Sequence, residues 1–348
     1  MSMTPTTPRS THATQRNGWL WCALAAVLFG AATPATKLVV GNVGSVALAG
    51  LLYLGAAAAV APLALREQRS VATGRQRARL FLAVGVGGGV APVLLVLALA
   101  RTPAGTVSLF LNLELVATAV IARVFLQEHI GRRAGLGIVI VVLGGVVLAG
   151  TSSAGIATGA LLVAATCVCW GIDNAVTASL DSYTPSQITL VKGLVAGAVN
   201  LLLGIALDGA PLLRYVVAAL AIGAIGYGVS ITMWITGARL VGAARGQVIF
   251  ALAPFIGVVL AWPVNGDRLS MTTVIAFTVS LVGVLVVATS HHGHRHTHGV
   301  LEHAHPIDPN DPHHRPGTIA VLAGTLHRHH VLHHEHEHLP DIHHRHTH

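Results

Sequence analysis

The sequence is divided into successive apolar blocks of roughly 18 to 24 residues, and each block is long enough to cross a bilayer as a helix. This pattern limits the chain to one broad class of fold. Charged residues make up only 10% of the 348 residues, whereas a soluble domain carries about 25%. So much apolar surface cannot be hidden from water. The sequence therefore predicts an all-α integral membrane protein, with the lipid bilayer as its first partner.

The apolar blocks, read between charges and turn residues, predict about ten transmembrane helices. The predicted helices span residues 17–39, 45–65, 79–100, 104–125, 134–151, 157–180, 186–207, 213–235, 242–264 and 270–290. Arginine residues cluster after the second, fourth and eighth helices and are sparse in the alternate loops. Because positive loops stay on the cytoplasmic side, both termini are expected inside the cell. The predicted location is the plasma (inner) membrane, crossed many times.

An internal repeat relates the two halves of the apolar region. Residues 108–128 align with a segment that ends at Asp267, and the same shift places Glu128 on Asp267 and Gly144 on Gly283. Each half holds five predicted helices, and this odd number forces the second half into the opposite orientation. Glu128 is therefore expected at the cytoplasmic face and Asp267 at the opposite face.

The repeat predicts four regions along the chain. They are a cytoplasmic N-terminal segment (1–16), a first five-helix repeat (17–151), a second five-helix repeat (152–290) and a His-rich cytoplasmic tail (291–348).

Over residues 17–290 the chain resembles the drug/metabolite transporter superfamily, in its EamA-type branch with ten helices and two repeats. The resemblance is carried by Phe29-Gly30 and Trp170-Gly171 in the first helix of each half. It is also carried by the long fourth helices, which end at 126–128 and 265–267. The resemblance implies secondary transport, usually export, of amino acids, metabolites, sugars or toxic small molecules.

Family members commonly have Glu-Pro in the middle of the fourth helix, and this chain departs from that pattern. The first half keeps Glu114 but follows it with Leu115, and the second half keeps Pro254 after Ala253. The resemblance therefore implies the fold more firmly than it implies a substrate.

Glu114 is the leading candidate for binding a cationic group of a solute or a coupling proton. It lies about ten residues from either end of its predicted helix, which puts it near the midplane of the bilayer. A charge at that depth is costly unless it faces a partner or water. The alternative is a carboxyl group that burial keeps neutral and that bonds a neighbouring helix.

Five more polar residues complete the predicted substrate site: Lys37, Asn112, Asp173, Asn174 and Lys192. Asp173 and Lys192 lie at similar depth, so an ion pair is expected, either as a fixed brace or as a gate. Lys37 lies near the outer end of the first helix and is either a substrate contact or a lysine that reaches toward water. Asn112 and Asn174 are expected to donate hydrogen bonds to a solute or to a neighbouring helix.

Several function classes are disfavoured. The net charge is +8, but the basic residues lie between apolar blocks and not in a stripe with aromatic residues, so no nucleic-acid partner is expected. No Ser-His-Asp or Cys-His arrangement is visible in the apolar blocks, and the glycine clusters lack the strand and acid of a dinucleotide-binding loop. An enzyme is therefore not expected, and no cofactor is required. The three cysteines lie in apolar blocks and are interpreted as packing residues.

All but two of the 22 histidines follow Ser290. Imidazole is a good ligand for Ni, Co and Zn ions, so this tail is predicted to be disordered and to bind divalent metal ions. The alternative is a polar tail that titrates with pH. The predicted metal ligands are His291, His292, His294, His296, His298, His334, His336, His338, His343, His344, His346 and His348.

The leading functional hypothesis is a secondary active transporter, an exporter of a small polar solute, whose tail senses or buffers a metal. Two alternatives stay open: the tail passes Ni, Co or Zn to the pore, or the protein is a membrane-anchored metal store or sensor without flux. The predicted helices show no cluster of His, Cys and carboxylate at ligand spacing, which argues against metal as the transported solute. The sequence is compatible with a monomer or an oligomer.

Overall fold

The structure is a computed structural model. It describes residues 10–67, 73–121, 123–124, 131–150, 154–177, 180, 182–241, 246, 249–289, 293–298, 301–304, 319–323, 326–329 and 332–337. The chain divides into two compact units, Met1–Thr289 and Ser290–His348.

The described segments of the first unit consist of helices joined by short non-helical connections. Its helices are α1 (Ser10–Val39), α2 (Ser45–Ala64), α3 (Gly74–Ala83), α4 (Ala91–Arg101), α5 (Ala104–Phe110), α6 (Leu113–Ile121), α7 (Arg132–Gly150), α8 (Ala154–Thr177), α9 (Pro185–Asp208), α10 (Leu213–Gly223), α11 (Ser230–Val241), α12 (Ala253–Asn265) and α13 (Met271–Ala288).

Nine helical stretches within these described segments are long and apolar enough to cross a membrane. Two of them are composite, since α3 continues into α4, and α10 into α11, as the stretches Gly74–Arg101 and Leu213–Gly237. Helix α12 is apolar but shorter, because its described helical residues begin at Ala253 and not at residue 242 as predicted. Large apolar side chains remain exposed on the outer faces of the unit, among them Leu202 and Leu213, as expected for surfaces that meet lipid.

A π-helical segment interrupts the third membrane-crossing stretch of each half at the same place. It spans Val84–Val90 in the first half and Ala224–Val229 in the second half. Both segments are rich in glycine, including Gly87 and Gly226 at matching positions of the repeat. Such π turns in long helices are often found at functional sites.

The fourth helix of each half is also broken at equivalent positions, where the sequence predicted continuous helices. Residues 111–112 separate α5 from α6, and residues 251–252 precede α12. In the second half, Pro254 lies in the first turn of α12, because its missing N–H is harmless only there. In the first half, the buried Asn112 side chain donates to the Leu109 carbonyl oxygen (2.9 Å) and replaces a helical bond.

The two halves run in opposite directions where corresponding helices meet. Along the α2–α9 contact, Gly50 faces the backbone of Gly197 and Leu201, while Gly204, later in α9, faces Ala47, earlier in α2. A Cβ atom on Gly50 or Gly204 would overlap backbone atoms of the other helix, so glycine permits this close approach. Helices α7 and α13 cross in the same antiparallel manner, with Gly137 against Val287 and Gly144 against Ala276 and Ser280.

The first helix of each half packs on helices of the other half. Helix α1 contacts α11 and α12, and α8 contacts α4 and α6. Gly30 of the Phe29-Gly30 pair lies against the Ala253 carbonyl of α12, and Gly171 of the Trp170-Gly171 pair lies against the α6 backbone at Ala117 and Thr118. The glycine of each pair therefore allows a helix of the opposite half to come close.

The described residues of the second unit form five strands: β1 (Gly293–His298), β2 (Leu301–Ala304), β3 (Ile319–Ala323), β4 (Leu326–His329) and β5 (Leu332–Glu337). Strand β1 pairs antiparallel with β5, and β4 lies between β2 and β3. These segments differ from the predicted disordered tail. The physical reason is that the His-x-His alternation has the two-residue period of a strand.

Candidate functional site

Glu114 and Asn174, which are distant in the sequence, are hydrogen-bonded partners. The break before α6 puts Glu114 in the first turn of that helix, where the helix dipole favours a carboxylate. The amide nitrogen Nδ2 of Asn174, on α8, donates to Glu114 Oε1 (3.1 Å) and to Thr118 Oγ1 (3.4 Å). Glu114 is half-buried and Asn174 is exposed, so this pair lies at the edge of the helical packing and not deep within it.

Asp173 and Lys192 form the expected ion pair between α8 and α9. The side chains are only 7% and 15% exposed, respectively. Thr177 Oγ1 also donates to Asp173 Oδ1 (3.2 Å). Glu114 lies near enough for its charge to interact with both members of the pair. We call Glu114, Asp173, Asn174 and Lys192 the Glu114 site.

The first π-helical segment forms one wall of the Glu114 site. A Cβ atom on Gly87 would overlap the carboxyl group of Asp173, so glycine is required for that carboxylate to fit. The Tyr53 hydroxyl of α2 donates to the Gly87 carbonyl oxygen (2.8 Å). Gly88 faces the Lys192 side chain and the Tyr53 ring. Tyr53 therefore holds the backbone against which both charged residues pack.

A row of aromatic rings extends from this wall through the unit. Ring centroids are 6.4 Å apart for Tyr53 and Tyr227, 5.7 Å for Tyr227 and Phe29, 5.1 Å for Phe29 and Phe250, and 5.7 Å for Phe250 and Trp234. Sequence reasoning missed this row as part of the site. Aromatic residues are only 5% of the chain, and Phe29 in the Phe29-Gly30 pair was one available signal.

Lys37 belongs to a different group of residues. Its ammonium donates to the backbone carbonyl oxygens of Leu99 and Thr102, the latter at 3.1 Å, at the end of α4. Its charge interacts with that of Asp267. The structure thus places Lys37 at the α4 terminus, with Asp267, and not with the contacts of Glu114.

The other predicted site residues are dispersed. Asn112, in the break between α5 and α6, bonds the Leu109 carbonyl oxygen of α5, although it is only two residues from Glu114. His294, His296 and His298 lie on β1, and His334 and His336 lie on β5. Glu128 and the remaining predicted ligands lie outside the described residues: His291, His292, His338, His343, His344, His346 and His348. Among the side chains that the structure describes, no group of three or more His, Cys, Asp or Glu is placed to hold a metal ion.

Comparisons with known proteins agree with this architecture. The model of the EamA-like transporter family matches the chain twice, over residues 16–150 and 157–289. A solved structure titled "Crystal structure of protein" superposes with a TM-score of 0.56 at 18% sequence identity, and the match covers 80% of this chain and 98% of that chain. At this identity it supports the fold alone. A search of curated proteins returns no match.

Proposed function

Because the chain belongs to the EamA-like transporter family, we propose that it is a secondary active exporter of a small polar solute. The family consists of multi-pass membrane transporters, so we infer transport across a membrane and expect no catalysis. The identity of the solute, the direction of transport and the alternating-access mechanism are our proposal. The single observation that supports it best is a charged site shared by two antiparallel halves of one helical unit.

The Glu114 site joins groups from both halves. Glu114 belongs to the first half, as does Tyr53 beside the site, whereas Asp173, Asn174 and Lys192 belong to the second half. A movement of one half against the other must therefore change the distances within the site. Two similar folds in opposite orientation provide two such arrangements of similar energy, and their exchange moves the open side from one face to the other.

We infer that Glu114 binds the cationic or hydrogen-bond-donating group of the solute, or a coupling proton. Asn174 is the partner that a ligand would replace, since it is exposed and donates to Glu114 by one amide group. The aromatic row beside Tyr53 supplies apolar ring faces for the rest of the solute, and such faces also attract cations. An amino acid, a metabolite or a drug-like molecule with a cationic group fits this combination.

The finer topology is also part of the proposal. We infer ten crossings, with α12 as the outer part of the ninth, both termini in the cytoplasm, and the plasma membrane as the location. Accessibility labelling of single cysteines at Glu128 and Asp267 tests the inverted arrangement. Opposite compartments support it, and labelling of both positions from one compartment contradicts it.

Flux measurements test the proposed site. Purified protein in proteoliposomes is assayed for flux of amino acids, cationic drugs and divalent metals, and Glu114→Gln is compared with the intact chain. We expect the flux through Glu114→Gln to be lower than that of the intact chain by about tenfold or more. Asp208→Asn, at the exposed end of α9, is the matched control that removes one negative charge elsewhere. Unchanged flux in Glu114→Gln removes Glu114 from the site.

Metal binding by the tail is a second proposal, favoured by the backbone register of β1 and β5. His294 pairs with His336, and His296 pairs with His334. Alternate residues of a strand lie on one face, so these four positions share a face of the two-stranded ladder. Residues directly opposite each other are neighbours across the ladder, and histidine is a residue type that suits a Ni, Co or Zn ion.

Deletion of residues 291–348 separates the alternatives for the tail. If the helices transport an organic solute and the tail only senses or buffers metal, the truncated protein keeps its flux and loses equilibrium binding of Zn. If the protein is a metal store, Zn binding is lost and no flux is found for any solute in either form. Metal flux that depends on the tail supports the alternative in which metal is the cargo.

A further inference from the structure

The Lys37 side chain of α1 lies at the carboxyl end of α4, another helix of the same half. The last carbonyl groups of a helix have no partner within the helix, and a cation is favoured beside them. The Lys37 ammonium, from α1, donates to two such oxygens, those of Leu99 and Thr102 at the end of α4. This single side chain therefore attaches α1 to the turn that joins α4 to α5.

Asp267 plays the complementary part at the beginning of α5. Its Oδ2 atom accepts a hydrogen bond from the Gly105 backbone N–H (2.7 Å), in the first turn of that helix. The first N–H groups of a helix are also unpaired, and an anion is favoured there. Asp267 follows α12, so the contact attaches the second half to the first half.

A third contact joins the same elements. The Asn265 side chain, at the last residue of α12, donates from Nδ2 to the Pro34 carbonyl oxygen of α1 (3.1 Å). Lys37 and Asp267 are close enough for their opposite charges to interact. We call Lys37, Asn265 and Asp267, with the backbone groups that they bond, the Lys37 cluster. It fastens the end of α12 to α1 and α5 at one end of the helical unit.

The repeat does not supply this set of side chains at the other end. Glu128 corresponds to Asp267, but Leu126 stands where the second half has Asn265. The last turn of the first helix of the second half and the residues after it read NAVTASLDSY (174–183), which contains neither lysine nor arginine. One end of the transporter thus joins its two halves through Lys37, Asn265 and Asp267, and the inverted end keeps only the acid of this set. At that inverted end the halves meet through neutral donors, since Thr184 and Ser186 donate to the Glu67 carboxylate.

We propose that the Lys37 cluster is a one-sided clamp that closes the entrance at the Asp267 end when no solute is bound. It biases the empty transporter toward the conformation open at the Glu128 end. This inference rests on the proposed alternating-access function. It gives Lys37 a conformational role in place of contact with the solute.

The clamp is built to open. Thr36 Oγ1, Thr102 Oγ1 and Asn265 Oδ1 are buried atoms without a hydrogen-bond partner among the residues described. Burial of an unpaired polar atom is unfavourable, and water that enters an opened entrance can pair with these atoms. The clamp therefore shifts the equilibrium without making the closed entrance permanent.

Distance measurements between spin labels test the clamp directly. Asn42 follows α1, Leu269 follows Asp267, and both are exposed, so a label pair at these positions spans the entrance. Labels are placed in a variant with Cys22, Cys167 and Cys169 replaced by alanine, in lipid nanodiscs and without solute. Without Lys37→Met we expect one short distance between the labels. In Lys37→Met we expect a second, longer distance, and its population relative to the short one should rise at least about tenfold. The reason is that hydrogen bonds to charged groups contribute strongly to the stability of the closed entrance.

Two further variants keep the test decisive. Asp267→Asn retains an acceptor of similar shape for Gly105 but removes the charge, and it is expected to increase the long distance in the same direction. Arg101→Met is the matched control, because Arg101 is an exposed cation at the same end of α4 that bonds its own helix, at the Leu97 carbonyl (2.9 Å). Unchanged distances in Lys37→Met and Asp267→Asn, or an equal change in Arg101→Met, overturn the clamp.

The labelling experiment is independent of the flux assay. A shifted distance in a protein without measurable flux supports the clamp and counts against the proposed transport function. Normal flux of the intact protein with unshifted distances in both variants supports the function and refutes the clamp.

Discussion

Removal of the Lys192 ammonium should destabilise the protein more than removal of the whole ion pair. Asp173 is only 7% exposed at its side chain and Lys192 only 15%, so little water is available to either charge. Breaking a buried pair by deleting one partner costs about 3 to 5 kcal/mol, whereas replacing both partners by neutral groups is often close to neutral. We therefore expect Lys192→Met to lower the free energy of unfolding by about 3 to 5 kcal/mol.

A double-mutant cycle measures this effect. Lys192→Met, Asp173→Asn and the double variant are compared with the intact protein by denaturant unfolding in detergent micelles, monitored by tryptophan fluorescence. Trp170 lies on α8 three residues before Asp173, which makes it a local reporter. The double variant is expected to regain most of the lost stability, with a coupling energy of about 2 kcal/mol or more between the two positions.

The outcome also separates the two roles predicted for the pair. If the double variant is stable and keeps its flux, the pair is a fixed brace; if it is stable and loses flux, the pair is part of the gate. A loss below about 1 kcal/mol in Lys192→Met, the range of exposed pairs, refutes the reasoning. It would mean that the Asp173 carboxylate finds water or another partner without the lysine.

Two other substitutions test how the halves are joined. Gly50→Val should prevent α2 and α9 from packing and sharply lower the yield of folded protein in gel filtration, because a Cβ atom at this position overlaps the α9 backbone. Gly85→Val is the control, since a Cβ atom there meets nothing within 4 Å. Equal yields of the two variants would contradict the packing argument. Glu67→Gln should lower the free energy of unfolding by about 1 to 3 kcal/mol, since the Glu67 carboxylate accepts hydrogen bonds from Thr184 and Ser186 at the start of α9. An unchanged denaturation midpoint would show that these hydrogen bonds do not stabilise the folded protein.

Much of the helical architecture could be predicted from hydropathy and loop charge. The positions of the helices follow from apolar length, and the repeat follows from matched residues such as Gly144 and Gly283. The π-helical segments could not be predicted in this way, because the apolar pattern of Val84–Val90 is compatible with an ordinary helix. The break before α6 was equally hidden, since Asn112 gives a weaker signal than Pro254 does in the second half.

The candidate site was predicted in part. Depth along the helices was enough to expect Asp173 and Lys192 together, and the pair is present. Depth says nothing about which way a side chain turns, so Lys37 was left between a solute contact and a lysine that reaches toward water, and the contacts of its ammonium at the end of α4 could not be predicted. Aromatic residues such as Tyr53 and Tyr227 contribute the same hydropathy whether they face lipid or the interior, so the aromatic row could not be recognised.

The π-helical segments give the third stretch of each half room for one extra residue without turning the helix that follows. A π turn holds one residue more than an α turn for about the same rotation, whereas each residue of an α-helix turns the chain by about 100°. Deletion of Gly85, which touches nothing at its Cβ position, would let the chain wind as a regular α-helix and leave α4 at nearly the same rotation relative to α3. Leu95 and Leu99 would then stay buried, whereas deletion of one residue from the α-helical part of α4 before Leu95 would turn both of them by about 100° toward the lipid. At this point of the fold, the winding of the turn absorbs the loss of one amino acid, and the angular register of everything that follows is kept.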